Sequence, residues 1–188
     1  MDKSFVVSRC DESIALKQRV RDELSEVIFE TGNKLIRTLK NGNKVLFCGN
    51  GGSAADAQHF AAELIVKLKN RRRALPGLAL TTDSSVMTAI ANDFSADEIF
   101  SRQVEGLGSA GDLLVTSSTT GNSKNLIQAV SAAKEIGIQT IGLLGGDGGK
   151  LAAMVDNAVV VPSSDTQRIQ ECHLLIGHIW MEMIDAVY

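Results

Sequence analysis

The chain has 188 residues, of which 44% are hydrophobic and 22% charged, which predicts a single globular domain with a sizeable core. Its formal net charge of −3 argues against general binding of nucleic acid or anionic membranes, and its 4% of aromatic residues disfavour a stacking platform for bases. Three widely spaced cysteines predict a reducing compartment, so we expect a cytoplasmic protein without a signal peptide or membrane span.

The N-terminal region, residues 1–43, is predicted to be helical. Between residues 11 and 41, apolar residues recur at steps of three and four among charged residues, as in an amphipathic helix. Gly32 is expected to mark a kink or a break between two helices. The apolar periodicity exceeds what a lone surface helix needs. We therefore expect this segment, with Trp180 and Met183, to pack on the core and in an oligomer interface.

After residue 43, short apolar runs alternate with helical segments. Runs such as "KVLFCG" and "DLLVTSS" are typical of strands that are buried on both faces of a parallel sheet. We predict an α/β fold over residues 44–188, with a doubly wound five-stranded parallel sheet flanked by helices. The predicted strands are residues 44–49, 77–82, 112–118, 139–145 and 157–162, and the predicted helices are residues 53–67, 84–91, 97–107, 122–136 and 166–187.

The segment "SSTTGNS", residues 117–123, joins a predicted strand to a predicted helix, at the end of the sheet where such folds bind ligands. Unpaired backbone N–H groups at the start of that helix favour an anion such as phosphate. A Ser/Thr-rich turn with an ordinary N-cap is the alternative. The segment "GGDGGKL" lacks the residues of a nucleotide P-loop, so the phosphate need not belong to a nucleotide. Hydroxyls that can add donors belong to Ser118, Thr119, Thr120 and Ser123.

A second glycine-rich turn, "GNGGSA" at residues 49–54, follows the first predicted strand. It fits the GxGxxG/A dinucleotide pattern formally, but the acidic partner expected about 20 positions later is missing, so we expect no nucleotide cofactor. Glycines there also allow the backbone to approach a small ligand closely. Ser53 and Asp56 fit a capping box at the start of the following helix.

His59 and Glu63 lie four residues apart, on the same side of that predicted helix. A neutral histidine and a carboxylate form half of a Zn²⁺ site, and they can also act as a general acid and base. An ordinary surface pair at i,i+4 spacing is the alternative.

Two further polar features remain open. His178 is a polar group on the mostly apolar last helix and needs a partner there, either as a functional residue or as a satisfied core histidine. His173, on the same helix, is a weaker candidate. The basic run "KLKNRRR", residues 67–73, is interpreted as a solvated loop, with a site for an anionic substrate or an acidic partner as the alternative.

Separated segments of the chain, in order, resemble the bacterial phosphoheptose isomerases, which are sugar-isomerase (SIS) domain proteins. These segments are "CGNGGSAADAQHFAAEL", "ALTTDSSVMTAIANDF", "STTGNS" and "RIQECHLLIGH". The resemblance implies conversion of sedoheptulose 7-phosphate to D-glycero-D-manno-heptose 7-phosphate, feeding heptose synthesis for surface glycans. It also implies a homotetramer whose active sites lie between subunits.

The resemblance also assigns roles to individual residues. The sugar site it implies consists of Asn50, Gly51, Gly52, Asn92 and Asp93, together with Glu63 and Gln170. The implied phosphate site consists of Ser118, Thr119, Thr120 and Ser123. The implied zinc ligands, for one divalent ion per active site, are His59, Glu63, Gln170 and His178. Glu63 and His178 are also the implied acid/base pair.

Aldose–ketose isomerisation moves one proton between C1 and C2 and another between their oxygens. A carboxylate can do the first and a histidine the second, while a divalent cation would polarise the carbonyl. The family's usual second serine in "STSGNS" is Thr120 here, which keeps the hydroxyl. Val66 and Lys67 replace a common glycine and arginine, a change that bears on the substrate entrance.

Two other functions stay open at this stage. One is a SIS isomerase of another phosphosugar, and the other is a non-catalytic SIS module that binds a phosphosugar or a protein. Relatives that bind a protein instead of catalysing are expected to drift at the acid/base positions. Because Glu63, Gln170 and His178 are all present, we favour the isomerase.

Overall fold

The structure of the chain is a computed structural model that describes residues 2–188. The strands are β1 (Val45–Gly49), β2 (Gly77–Ala79), β3 (Leu113–Ser118), β4 (Gln139–Gly145) and β5 (Asn157–Val161). The helices are α1 (Lys3–Lys40), α2 (Gly52–Ile65), α3 (Ser84–Asp93), α4 (Ser101–Leu107), α5 (Lys124–Ile136), α6 (Gly149–Met154) and α7 (Thr166–Asp185), with a 3₁₀ helix at Ala96–Glu98. All strand pairs are parallel, which confirms the predicted sheet.

The strand order β2-β1-β3-β4-β5 reverses direction between β1 and β3. In such a sheet, the crevice at the carboxyl ends of the two strands on either side of the reversal is the usual ligand site. Gly49, the last residue of β1, pairs in register with Ser117 near the end of β3. The two polar segments that follow these strands therefore start side by side.

The sheet is covered on both faces, which explains why every residue of β1 and β3 is buried and why β1 and the first half of β3 are apolar. On one face, α1, α2 and α7 pack against the side chains of Phe47 and Val115. On the other face, α4, α5 and α6 pack against Leu46 and Leu114. None of the helices within residues 2–188 combines the length and hydropathy needed to cross a lipid bilayer.

Helix α1 is continuous from residue 3 to residue 40, so Gly32 does not divide it into two helices, which was one of the two outcomes predicted for this glycine. A Cβ atom at Gly32 would lie 2.6 Å from the Met183 sulfur, so this glycine allows α1 to pack closely on α7. The indole Nε1 of Trp180 donates to the Ile28 carbonyl at 3.0 Å, and Trp180 is fully buried. Trp180 therefore packs in the core of the chain, as predicted, but its side chain exposes no surface to an oligomer interface, so that part of the prediction is wrong.

Other element boundaries also differ from the prediction. The strand predicted over residues 77–82 ends at Ala79, because the chain turns there towards α3. The helix predicted over residues 97–107 is divided into the 3₁₀ helix and α4. The sequence prediction missed α6, which begins after Gly148, a glycine with a left-handed φ of 81°. Short elements of this kind lack a full apolar period and leave little signal.

His173 is fully buried in α7 and packs against the end of β4. Its Nε2–H donates to the Leu144 carbonyl at 3.0 Å, whereas its Nδ1 has no hydrogen-bond partner among the described residues. Burial lowers the pKa of His173 to about 4, with the bond to the Leu144 carbonyl opposing this in part. The folded chain thus holds a neutral imidazole in its core.

We predict that the free energy of unfolding falls as the pH drops from 6.5 towards 4. The unfolded chain binds a proton at His173 near pH 6.5 and the folded chain near pH 4, so acid favours the unfolded state over this range. His173 should account for a loss of about 2 kcal/mol between pH 7 and pH 5. Urea unfolding at both pH values measures the loss. His173→Gln keeps a donor but cannot titrate; an equal acid loss in this variant would contradict the prediction.

Candidate active site

The loop that precedes α2, residues 49–54, forms one wall of the candidate site, and we call it the α2 loop. Gly51 has a positive φ of 57° and is the N-cap of α2, without any side-chain cap. A Cβ atom at Gly49 would lie 2.7 Å from the carbonyl oxygen of Ser53, so the turn is too tight for a side chain. The loop therefore presents backbone to the crevice, as the sequence predicted.

The loop that precedes α5, residues 117–123, forms the neighbouring wall, and we call it the α5 loop. The Ser118 hydroxyl oxygen accepts the Gly121 N–H at 3.0 Å and closes the turn. A Cβ atom at Gly121 would lie 1.9 Å from the Gly148 carbonyl oxygen, so the loop rests directly on the turn before α6. Ser123 is the N-cap residue of α5 but makes no side-chain cap bond, so its hydroxyl is available to a ligand.

A pair of amide side chains joins the α2 loop to the first turn of α5. The Asn50 Nδ2 donates to the Asn125 Oδ1 at 3.0 Å, and the Asn125 Nδ2 donates to the Asn50 Oδ1 at 2.9 Å. Asn50 was expected at the sugar site, whereas Asn125 was not identified from the sequence. The sequence places Asn125 within one helical turn of the polar α5 loop, but a polar residue at such a position is too common to be singled out.

Helices α2 and α7 bring three of the predicted residues together. The Nε2 atoms of His59 and His178 are 2.9 Å apart, and the His59 Nε2 lies 3.4 Å from a carboxylate oxygen of Glu63. One ligand atom from each of the three residues lies within 4.8 Å of the others. The Glu63 side chain is 16% exposed and that of His59 45%, so the cluster opens to solvent on the His59 side.

This cluster has the donor set of a catalytic zinc site. Two imidazole nitrogens and one carboxylate match the ligands of open zinc sites, which leave a position for water or substrate. The two facing Nε2 atoms are satisfied only if one donates to the other or if both coordinate a cation. The residues present therefore fit a divalent ion, and they equally form an acid/base set in its absence.

Within residues 2–188, no side-chain hydrogen bond joins Gln170, Asn92 or Asp93 to this cluster. The Gln170 amide contacts the α2 loop, since a Cβ atom at Gly52 would lie 2.2 Å from its Nε2. Asn92 and Asp93 end α3, are exposed, and hydrogen-bond to each other at 2.8 Å. Neither has a side-chain hydrogen bond to α2 or α7 within residues 2–188, so their place at the sugar site stays a prediction.

Asp56 is a polar neighbour of the cluster that was not identified as such from the sequence. The predicted capping box of Ser53 and Asp56 is wrong, since no side chain caps α2. Burial raises the pKa of the Asp56 carboxyl, although nearby His59 and His178 oppose this, and its Oδ2 has no hydrogen-bond partner among the described residues. The spacing of Asp56 three residues before His59 puts both on one helix face, and that spacing was the available signal.

Comparison with known proteins is consistent with this geometry. A model of the SIS domain family matches residues 10–145. A phosphoheptose isomerase of Aliarcobacter butzleri (strain RM4018) is 54% identical over 167 residues, which cover 89% of this chain and 88% of that protein. The chain belongs to the phosphoheptose isomerase family. The resemblance in the sequence motifs is therefore confirmed.

Solved structures extend the similarity to the whole fold. A phosphoheptose isomerase from Neisseria gonorrhoeae is 46% identical, with 98% of each chain covered and a TM-score of 0.92. Another from Francisella tularensis is 36% identical, with 99% of this chain and 100% of that chain covered and a TM-score of 0.95. The long helix α1 thus belongs to the shared phosphoheptose isomerase fold.

Proposed function

We propose that the chain interconverts sedoheptulose 7-phosphate and D-glycero-D-manno-heptose 7-phosphate and so supplies heptose for surface glycans. The observation that carries this proposal is the proximity of Glu63 and His178 on helices α2 and α7, in a fold whose α2 loop and α5 loop start side by side. A carboxylate and an imidazole can carry the two proton transfers of an aldose–ketose isomerisation. The high identity to phosphoheptose isomerases favours this substrate over another phosphosugar and over a non-catalytic module.

In this proposal the α5 loop binds the phosphate. The free hydroxyl of Ser123 and the unpaired N–H groups at the start of α5 offer donors to an anion, and no acidic side chain stands in the loop. The substrate-binding residues we propose are Asn50, Gly51, Gly52, Asn92, Asp93, Ser118, Thr119, Thr120, Ser123 and Gln170, together with Glu63.

The chemistry is assigned to groups on α2 and α7. Glu63 moves the proton between C1 and C2, and His178 moves the proton between the two oxygens. His59 contacts both groups, because its Nε2 lies 2.9 Å from the His178 Nε2 and 3.4 Å from a Glu63 carboxylate oxygen. These contacts hold the His178 ring and the Glu63 carboxylate in their orientations. The low exposure of Glu63 limits exchange of the transferred proton with water.

We also propose that His59, Glu63 and His178 hold one zinc ion, with the Gln170 amide as a further ligand from α7. Two histidines and a carboxylate favour zinc over magnesium or calcium, which prefer oxygen ligands alone. When bound, the ion supplies a Lewis acid that polarises the substrate carbonyl.

Assembly into a cytoplasmic homotetramer completes the proposal. Helix α1 exposes several large apolar side chains that the chain itself leaves uncovered, namely those of Phe5, Val6, Val7, Ile14 and Phe29. A soluble chain rarely leaves such a series on one helix unless a partner covers it. A second copy of the chain is the partner we propose, with active sites shared between subunits.

The first prediction from this proposed function concerns the base. Glu63→Gln keeps the shape of the side chain but removes the proton acceptor, so kcat should fall by about 10²-fold or more while the fold is kept. Steady-state kinetics with sedoheptulose 7-phosphate measures the loss, and circular dichroism checks the fold. Glu105→Gln, an exposed change on α4, is the matched control. Near-normal turnover of Glu63→Gln would remove Glu63 from the mechanism.

The second prediction concerns the metal. Protein purified without chelator should contain zinc at about one ion per chain, and His59→Ala should reduce this content strongly because it removes one of the nitrogen ligands. His173→Gln changes a histidine outside the cluster and should keep the zinc. Chelation should lower activity and added zinc should restore it. Full activity of a zinc-free enzyme would leave these residues as proton-transfer and sugar ligands only.

The third prediction concerns the phosphate. Ser123→Ala removes a hydroxyl that makes no cap bond, so it should barely change stability while weakening binding of sedoheptulose 7-phosphate by roughly 10- to 150-fold. Titration with substrate and with inorganic phosphate measures both affinities. Ser131→Ala, whose hydroxyl bonds to the Ile127 carbonyl on α5, is the control. If Ser123→Ala binds both ligands normally, the phosphate must bind elsewhere.

The fourth prediction concerns assembly. Light scattering at micromolar concentration should give the mass of four chains, and Phe29→Arg should shift the population to smaller species because it places a charge in an apolar interface. Gln128→Arg, an exposed change on α5, should leave the mass unchanged. A stable wild-type monomer would exclude active sites shared between subunits.

A further inference from the structure

The basic run at residues 67–73 contains a buried arginine, so the prediction of a solvated loop is wrong for Arg72. The side chains of Arg72 and Asp185 are 1% and 3% exposed, and the Arg72 Nε donates to an Asp185 carboxylate oxygen at 2.8 Å. Such burial of a charged pair requires that the remaining donors and acceptors find partners. The partners that they find connect this loop to both helices of the active site.

Arg72 donates hydrogen bonds to backbone carbonyls in the last turn of α2. Its Nη2 donates to the Glu63 carbonyl at 2.8 Å, and its Nη1 donates to the Leu64 carbonyl at 2.9 Å. Carbonyls in the last turn of a helix have no partner within the helix, so they need an external donor when buried. The guanidinium thus holds the backbone of Glu63, the residue assigned as the base.

Asp185 connects the loop that follows α2 to the end of α7. Its carboxylate accepts the backbone N–H groups of Lys69 at 2.7 Å and Asn70 at 3.0 Å, which fixes the loop on the end of α7. Burial alone would raise the pKa of the Asp185 carboxyl, but these amide donors and the Arg72 guanidinium outweigh it and hold the pKa below its usual value. The carboxylate therefore stays charged at neutral pH.

Asp185 lies on the face of α7 that carries His178. The two residues are seven positions apart, which is two helical turns or about 10 Å along the axis. Helices α2 and α7 are therefore joined at two levels. One level is the cluster of His59, Glu63 and His178, and the other is the Arg72–Asp185 pair below it.

We propose that Arg72 and Asp185 are a positioning pair for the isomerisation, which fixes the last turn of α2 against α7 and so holds the Glu63 carboxylate in place beside His59 and His178. This inference rests on the proposed role of Glu63 as the base. A misplacement of about 1 Å at a reacting group can cost on the order of 10²-fold in rate. The planar fork of arginine bonds the carboxylate and the two carbonyls at once, which a lysine ammonium cannot reproduce.

The test replaces each member of the pair in the full-length enzyme. Arg72→Met, Arg72→Lys and Asp185→Asn should each lower kcat for sedoheptulose 7-phosphate by roughly 10- to 100-fold, while KM changes less than about threefold because the phosphate loop is untouched. Arg71→Met removes the same charge from an exposed neighbour and should leave kcat unchanged.

A second control separates positioning from stability. Asp112, whose side chain is buried, forms another ion pair, with the partly exposed Lys44, at the opposite ends of the strands from the site. Asp112→Asn should lower the urea midpoint as Asp185→Asn does, yet leave kcat unchanged. If Asp112→Asn lowers kcat as much as Asp185→Asn at an equal loss of stability, the effect is general and the proposal is overturned.

Histidine NMR provides a readout that is independent of turnover. The chain has three histidines, and two of them, His59 and His178, lie in the cluster. With ¹³C-labelled histidine, Arg72→Lys and Asp185→Asn should shift the ring signals of these two and leave the buried His173 signal in place, which also reports a folded core. Unchanged signals with unchanged kcat would overturn the proposal.

Glu63→Gln, measured in parallel, separates the failure of the positioning pair from the failure of Glu63 as the base. If Glu63→Gln is inactive while Arg72→Lys and Asp185→Asn keep normal kcat, the positioning pair is wrong and the role of Glu63 stands. If Glu63→Gln is itself active, both are wrong. Should Arg72→Met fail to fold, the two milder variants decide the question by the same measurements.

Discussion

Close packing of α7 on α2 is the constraint on which the candidate site depends. Gly177 precedes His178, and Phe60 follows His59. A Cβ atom at Gly177 would lie 2.1 Å from the Phe60 ring, so only a glycine permits this separation of the two helices. The same approach brings the Nε2 atoms of His59 and His178 to 2.9 Å. An apolar contact in the core thereby sets the geometry of the polar cluster beside it.

The sheet fixes the second half of the site. Because β1 and β3 are neighbours at the reversal of strand order, the α2 loop and the α5 loop lie next to each other, and the amides of Asn50 and Asn125 join the α2 loop to the first turn of α5. A sugar phosphate can then have its phosphate at one loop and its carbonyl end near α2 and α7.

Buried polar groups in this fold act mainly by fixing backbone. Arg72 and Asp185 tie the loop after α2 to α7, and His173 ties α7 to the end of β4. Each uses a hydrogen bond to a carbonyl or an amide, since an unpaired polar group in the core is costly. These hydrogen bonds offset the free-energy cost of burying the three side chains.

The sequence by itself determined the alternation of strands and helices, the two polar loops, and the His59–Glu63 pair, because periodicity, turn composition and i,i+4 spacing are local properties. Only the resemblance to the phosphoheptose isomerases grouped His178 with His59 beforehand, since 119 positions separate them, and the tertiary structure shows their Nε2 atoms in contact. Tertiary structure alone decided that Gly32 allows close packing where the sequence suggested a break, and that Arg72 is buried in a run that reads as solvated. These outcomes depend on which residue from a distant part of the chain packs against the residue in question, and no local sequence pattern encodes such a contact.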